Sequence, residues 1–173
     1  MKRPIAWFAT GLPAAAVLAA APATLGSPAA HADGEHPISG VIRTFADMCM
    51  DVEGKSADND VHIVQYRCTW EYNQRFHIIP VGGGQWEIRT FANKCMDVRR
   101  ASPFNGARIV QYTCTGEPNQ RFRLIPTGAG RKVIRTFGGY KCMDVNRKSA
   151  YAGARIIQYS CTWDYNQRFV VGR

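Results

Sequence analysis

Beyond residue 40, apolar positions along this chain fall into short runs bounded by turn residues, and no window sustains the i, i+3, i+4 rhythm of an amphipathic helix. Val41 to Phe45 is β-branched and aromatic, and Cys49 to Val52 is short and apolar. Val61 to Tyr66 alternates with branched residues, and Arg75 to Ile79 is a further run that Pro80 is expected to stop. Between them lie Glu53 to Asn59, polar with Gly54, and Val81 to Gln85, which holds three consecutive glycines. The whole block is then written twice more. Ile42-Arg43-Thr44-Phe45 returns as Ile88-Arg89-Thr90-Phe91 and Ile134-Arg135-Thr136-Phe137, with a period of 46 residues and one extra residue around Gly139-Tyr140. Four strands in each of three copies predict about twelve short strands.

A 46-residue unit of this kind cannot bury an apolar face alone, so the three units must share one core. Closing them into a ring removes the strand edges that an open array would have to cap. The expected fold is all-β and closed, with pseudo-threefold symmetry over repeats 41–86, 87–132 and 133–173.

The N-terminal stretch has a different pattern. Lys2 and Arg3 precede an Ala/Leu/Val-rich run, and Ala30-His31-Ala32 ends it with small residues at the positions a signal peptidase reads. Gly11, Pro13 and Pro22 interrupt the run before it reaches the roughly 20 apolar residues of a membrane span. Residues 1–32 are therefore read as a secretory signal peptide and 33–40 as a short polar leader. No membrane span is expected, and the remainder is placed outside the cell, exported by the general route because residues 1–32 hold no Arg-Arg pair.

Export changes the meaning of the cysteines. All six follow the signal, two per copy and 19 positions apart in each. Six cysteines allow 15 pairings, but the repeat favours one bridge within each copy: Cys49–Cys68, Cys95–Cys114 and Cys142–Cys161. A zinc site needs C-x2-C or clustered His, and neither occurs, so no metal or other cofactor is expected. The formal charge of +9 includes Lys2 and Arg3, which leaves the exported part about +7. That balance favours anionic partners. Much of it, however, recurs at fixed repeat positions (Arg43, Arg89, Arg135; Arg75, Arg121, Arg168), and no Lys/Arg run exceeds two residues, so nucleic acid is not the expected partner.

Each copy also carries Cys-Met-Asp-Val, then Gln-Tyr-x-Cys, then Asn-Gln-Arg-Phe, at constant spacing. This triple pattern, covering essentially all of 41–173, resembles the ricin B-type lectin domain, a β-trefoil also found as a carbohydrate-binding module on secreted bacterial glycoside hydrolases. Gln-Arg-Phe stands where that family has its Gln-x-Trp repeat. The resemblance implies one shallow sugar pocket per lobe: Asp51, Tyr66 and Asn73 with Gln74 in the first; Asp97, Tyr112, Asn119 and Gln120 in the second; Asp144, Tyr159, Asn166 and Gln167 in the third. The residue types suit a pyranose. An ionised Asp accepts from two neighbouring hydroxyls, an Asn amide donates to one and accepts from another, and a Tyr ring covers a C–H face. Phe76, Phe122 and Phe169 are expected in the core, as are Met50, Met96 and Met143.

Two departures shape the expectation further. Many members have a Gln two residues before the aromatic, where Val64, Val110 and Ile157 stand here; Gln65, Gln111 and Gln158 sit one place later, which on a strand turns the amide to the opposite face. Trp70-Glu71-Tyr72 and Trp163-Asp164-Tyr165 contrast with Gly116-Glu117-Pro118, so lobes one and three should resemble each other more than either resembles lobe two.

No catalytic set emerges. His31, His36, His62 and His77 do not recur with the repeat, the repeated Asp residues belong to separate lobes, and neither a nucleophile elbow nor a phosphate loop is present. The expected function is a secreted, monomeric, non-enzymatic lectin with up to three sugar sites that holds galactose-, xylan- or arabinan-type polymers by avidity. The alternatives are a protein-interaction or inhibitor scaffold, or a targeting subunit for a separate toxin or glycoside hydrolase.

Overall fold

The computed structural model describes residues 36–136 and 140–172; the predicted signal peptide and most of the leader lie outside them. Thirteen strands are present, in the order β1 (Ile38–Gly40), β2 (Ile42–Arg43), β3 (Cys49–Val52), β4 (Val61–Tyr66), β5 (Phe76–Gly82), β6 (Gln85–Arg89), β7 (Cys95–Val98), β8 (Ile109–Tyr112), β9 (Phe122–Gly128), β10 (Arg131–Thr136), β11 (Cys142–Val145), β12 (Ile156–Tyr159) and β13 (Arg168–Val171).

The first and last strands of each repeat make the barrel. β5 pairs with β1 and β6, β6 with β9, β9 with β10, β10 with β13, and β13 with β2. Because β1 and β2 are one run interrupted at Val41, these pairings close a ring without a free edge. The remaining strands form the hairpins β3–β4, β7–β8 and β11–β12. The hairpins are joined to one another in a triangle by β4–β8 pairing and by the bridges Arg108↔Ile157 and Val64↔Arg155. This is the β-trefoil.

The core repeats with the sequence. Ile42, Ile88 and Ile134, Met50, Met96 and Met143, Ile63, Ile109 and Ile156, and Phe76, Phe122 and Phe169 are all fully buried. Burying each Phe contributes about 1.5–3 kcal/mol, and each lobe supplies the same set to the axis, which is why no lobe stands without the others. The three disulfides are those expected, with Cα–Cα distances of 5.0 Å. Each closes a loop worth about 3 kcal/mol in the chain-entropy model.

Two expectations are corrected. The leader ends earlier than its polarity suggested, since Ile38–Gly40 forms β1 and completes the barrel. Gly172 lies so close to Ile38 that a Cβ would sit 2.2 Å from Ile38 Cγ2, and its N–H donates to Val41 O at 3.0 Å, so the two ends of the domain are sewn together. Pro80 also fails to stop its strand. β5 continues to Gly82 through a register shift between Pro80 and Gly82, where a residue without an N–H is tolerated.

Candidate functional site

In each lobe an aspartate on the second strand meets a short 3-10 turn that carries Asn-Gln. In lobe 1 these are Asp51 on β3 and the turn Tyr72–Gln74. Gln74 Nε2 donates to Asp51 Oδ2 (2.8 Å) and Arg67 O (2.8 Å), and its Oε1 accepts from Thr69 N (2.9 Å) and Trp70 N (3.2 Å). Gln120 and Gln167 repeat this set around Asp97 and Asp144. All three glutamines are fully buried and every amide hydrogen and lone pair is used. They prop and aim each carboxylate, the supporting role that the resemblance gives to Gln74.

Asn119 and Asn166 donate to the same Asp Oδ2, each at 2.8 Å. Asp Oδ1 accepts no hydrogen bond from the described residues in any lobe. The Oδ1 atoms of Asn73 and Asn166 are buried and likewise without a partner. Each of these lobes thus holds one buried acceptor that no protein donor satisfies, a condition native interiors seldom leave unanswered, beside an Asp oxygen that no protein donor occupies.

The three aspartates are 5–7 % exposed, and burial pushes their carboxyls above the ordinary aspartate value, against the opposing hydrogen bonds from the Gln and Asn amides. Beside each stands the terminal tyrosine of the next strand, half in solvent: Tyr66 47 %, Tyr112 42 % and Tyr159 43 %. In lobe 1, Asp51, Tyr66, Asn73, Thr69, Lys55, Glu71 and Val64 line a cleft of about 430 Å³; in lobe 2 a cleft of about 490 Å³ is lined by Asp97, Tyr112, Asn119, Thr115, Glu117 and Arg99. The structure thus brings together Asp, Tyr and Asn of one copy in each of these clefts.

Sequence reasoning missed the second wall. Gly153 of lobe 3 lines the first cleft and Asp60 of lobe 1 lines the second. The displaced glutamines put them there. Gln65 Nε2 donates to Ser149 O (2.8 Å) and Tyr151 O (2.9 Å), Gln111 to Ser56 O (2.8 Å) and Asp58 O (2.8 Å), and Gln158 to Ser102 O (2.6 Å) and Phe104 O (3.0 Å). As the alternation predicted, these amides face away from the pocket. Each holds the loop of the neighbouring lobe against its own, in a cycle.

The lobes differ at the rim. Lys55 bridges to Glu71 in lobe 1 and Lys148 to Asp164 (2.8 Å) in lobe 3, and each lysine lies over a tyrosine ring, Tyr72 or Tyr165. Lobe 2 has Ala101 and Pro118 in those places, which opens a further cleft of about 300 Å³ beside Asn119. There Arg99 instead reaches across the lobe boundary to Asp60, with both carboxylate oxygens engaged at 2.6 and 2.5 Å. Aligning the copies shows the difference directly, since Lys55 and Lys148 align with Ala101 and Glu53 and Asn146 with Arg99. Among the described residues, Glu87, Cys95 and Cys114 also cluster, but both sulfurs are in a disulfide and Glu87 is held by Arg89 and Arg121, which leaves no thiolate for a metal.

Residues 38–169 match the family of ricin-type β-trefoil lectin domains. The fold superposes on a designed threefold-symmetric protein, ThreeFoil, with a TM-score of 0.76 and 28 % identity over 78 % of this chain and 98 % of that one. An exo-β-1,3-galactanase from Clostridium thermocellum matches with a TM-score of 0.75 and 27 % identity over 78 % of this chain, which corresponds to only 30 % of the galactanase. The Rhizoctonia solani agglutinin shares the fold (TM-score 0.71, 13 % identity, covering 81 % of this chain and 98 % of that one). No curated protein matches the sequence. With the family match spanning all three lobes and their repeated Asp-Tyr-Asn sets, the chain belongs to the ricin-type β-trefoil lectin domains, and its domain is a carbohydrate-binding one.

Proposed function

We propose that the protein is an exported, monomeric lectin that holds a polysaccharide through three sugar sites: Asp51, Tyr66 and Asn73; Asp97, Tyr112 and Asn119; Asp144, Tyr159 and Asn166. The observation that carries this reading is the unshared Oδ1 of each aspartate, beside an exposed tyrosine and above an amide that fixes its other oxygen. A sugar would place adjacent hydroxyls on the carboxylate and a C–H face on the ring. One shallow site of about millimolar strength is worth only about 4 kcal/mol, so retention on a polymer comes from three sites on one rigid body.

Galactan heads the proposed ligands, with xylan and arabinan behind it, because the similar galactanase acts on a β-1,3-galactan backbone. The test is retention on immobilised galactan, xylan and arabinan, with Asp51, Asp97 and Asp144 each changed to Ala and then all together. Retention should fall stepwise and vanish in the triple variant. A triple variant that is retained, and is released by salt but not by free galactose, would instead identify a charge-driven protein or surface partner.

A further inference from the structure

We infer that the sites of lobes 1 and 3 are extended, each taking at least two consecutive sugar units of a chain across a lobe boundary, whereas the site of lobe 2 takes a single unit. This rests on the sugar-binding reading above and adds to it which residues reach beyond the first ring.

Two sets of exposed aromatics carry the inference, and they vary together. The first lies within each lobe. Trp70 and Trp163 hold positive φ angles of 61° and 63°, a region that bulky side chains rarely adopt, and yet both are about half exposed. The equivalent position in lobe 2 is Gly116, φ 79°, which suits that backbone at no cost. The turn therefore favours Gly in all three copies, and only lobes 1 and 3 carry Trp. Thr69 and Glu71, on either side of Trp70, both line the first cleft.

The second set comes from the neighbouring lobe. Tyr151 and Phe104 stand at loop tips, 82 % and 74 % exposed, and no core contact accounts for them. Their backbones are nevertheless fixed. Gln65 binds Tyr151 O, and Gly153 N returns a bond to Gln65 O (2.7 Å); Gln158 binds Phe104 O, and Gly106 N returns one to Gln158 O (2.9 Å). Gln65 and Gln158 directly precede Tyr66 and Tyr159, so Tyr151 is delivered to the edge of site 1 and Phe104 to the edge of site 3. Site 2 receives the tip of the lobe 1 loop, and there the equivalent residue is Asp58, bonded to Ser56.

In the proposed arrangement, sites 1 and 3 each have an exposed aromatic from their own lobe and one from the next, in lobe 1 next to or two residues from residues that line the cleft. Site 2 has Gly116 and Asp58. Aromatic rings ordered by their backbone but left in solvent suit the C–H faces of successive pyranose rings, because little ordering remains to be done on binding.

The experiment is calorimetric titration of the protein with galactose, with β-1,3-galactotetraose, and with xylose and xylotetraose, on the Asp97→Ala background, which leaves sites 1 and 3. Tetrasaccharide should bind about tenfold more tightly than its monosaccharide. Tyr151→Ala with Phe104→Ala, and separately Trp70→Gly with Trp163→Gly, should each remove most of that gain and leave the monosaccharide affinity unchanged. With Asp51→Ala and Asp144→Ala in place of Asp97→Ala, only site 2 remains and the two ligand lengths should bind equally. If monosaccharide and tetrasaccharide bind alike at sites 1 and 3, or the aromatic variants change neither, the extended sites are refuted and the lectin reading stands. If no sugar of either length binds, both fall together.

Discussion

Lobes 1 and 3 and lobe 2 share one backbone plan and one Asp-Tyr-Asn set, yet they settle their rims by different means. In lobes 1 and 3 the lysine after the aspartate strand is tied within the lobe, to Glu71 or Asp164, and packs over Tyr72 or Tyr165. In lobe 2 the small Ala101 and Pro118 leave the rim open, and the cation is Arg99, tied across the boundary to Asp60 of lobe 1. Repeats constrained by a common core remain free to diverge at the rims, where these side chains stay partly exposed.

The largest expected effect separates the lobes directly. Asp51→Asn with Asp144→Asn should lower retention on galactan by about a hundredfold through lost avidity, while Asp97→Asn alone costs far less; affinity electrophoresis in gels containing the polymer reads both. Equal losses from any pair of lobes would erase the distinction.

The seams between lobes should also be unequal. Asn59 ties the lobe 1 loop to Thr113 and Asn105 ties the lobe 2 loop to Ser160, but Ala152 stands in the lobe 3 loop. Gln65 is therefore the main polar link of its seam. Gln65→Ala should destabilise the domain by about 1–3 kcal/mol, since it removes two hydrogen bonds from a fully buried amide to the neighbouring loop, and Gln111→Ala by less; urea unfolding followed by Trp fluorescence measures both.

Grafting lobe 1 character onto lobe 2 tests the rim from the other side. Gly116→Trp should cost about 1–2 kcal/mol, because a side chain enters a positive-φ position and its Cβ meets Arg121 Nη2 at 3.2 Å, a flexible end that can move. Thermal unfolding should record that loss while lobe 2 gains affinity for oligosaccharide.

Acid should distinguish the lobes by the smallest margin. Burial raises all three site aspartates, so their ionised forms at neutral pH oppose folding, and the domain gains stability as pH falls through these raised values. Binding needs the ionised form and should be lost over that same window, above the ordinary aspartate range, while the fold stays intact. Asp60 adds to the rise at Asp97 with no cation against it, whereas at Asp51 and Asp144 the carboxylates of Glu71 and Asp164 add to the rise but Lys55 and Lys148 oppose it more strongly. Lobe 2 should therefore release sugar first on acidification, as NMR titration of single-lobe variants with galactose would show.

Much of this was legible in the chain. Three copies of a strand pattern with paired cysteines pointed to a closed all-β body, because closure hides one face of short strands and leaves no edge to cap. The Asp-Tyr-Asn constellation was equally legible, since its members recur at constant spacing. Less legible was the division of labour inside it: the sequence left Gln74 between backbone support and ligand contact, and its complete burial and four satisfied bonds show it propping Asp51. Pro80 and Ile38 misled for a local reason, because composition marks turn tendency and cannot register a bulge or a strand recruited by a distant partner.

By itself, then, the sequence determined the repeat, the disulfides, the core residues and the chemistry available in each lobe, all of which follow from short-range pattern and period. The tertiary structure alone decided that the clefts of lobes 1 and 2 are each lined from two lobes. Gln65 meets the backbone of Ser149 and Tyr151 at separations of 84 and 86 residues, and no local preference encodes such a contact. It arises when the barrel closes and a buried amide must find carbonyls to satisfy it.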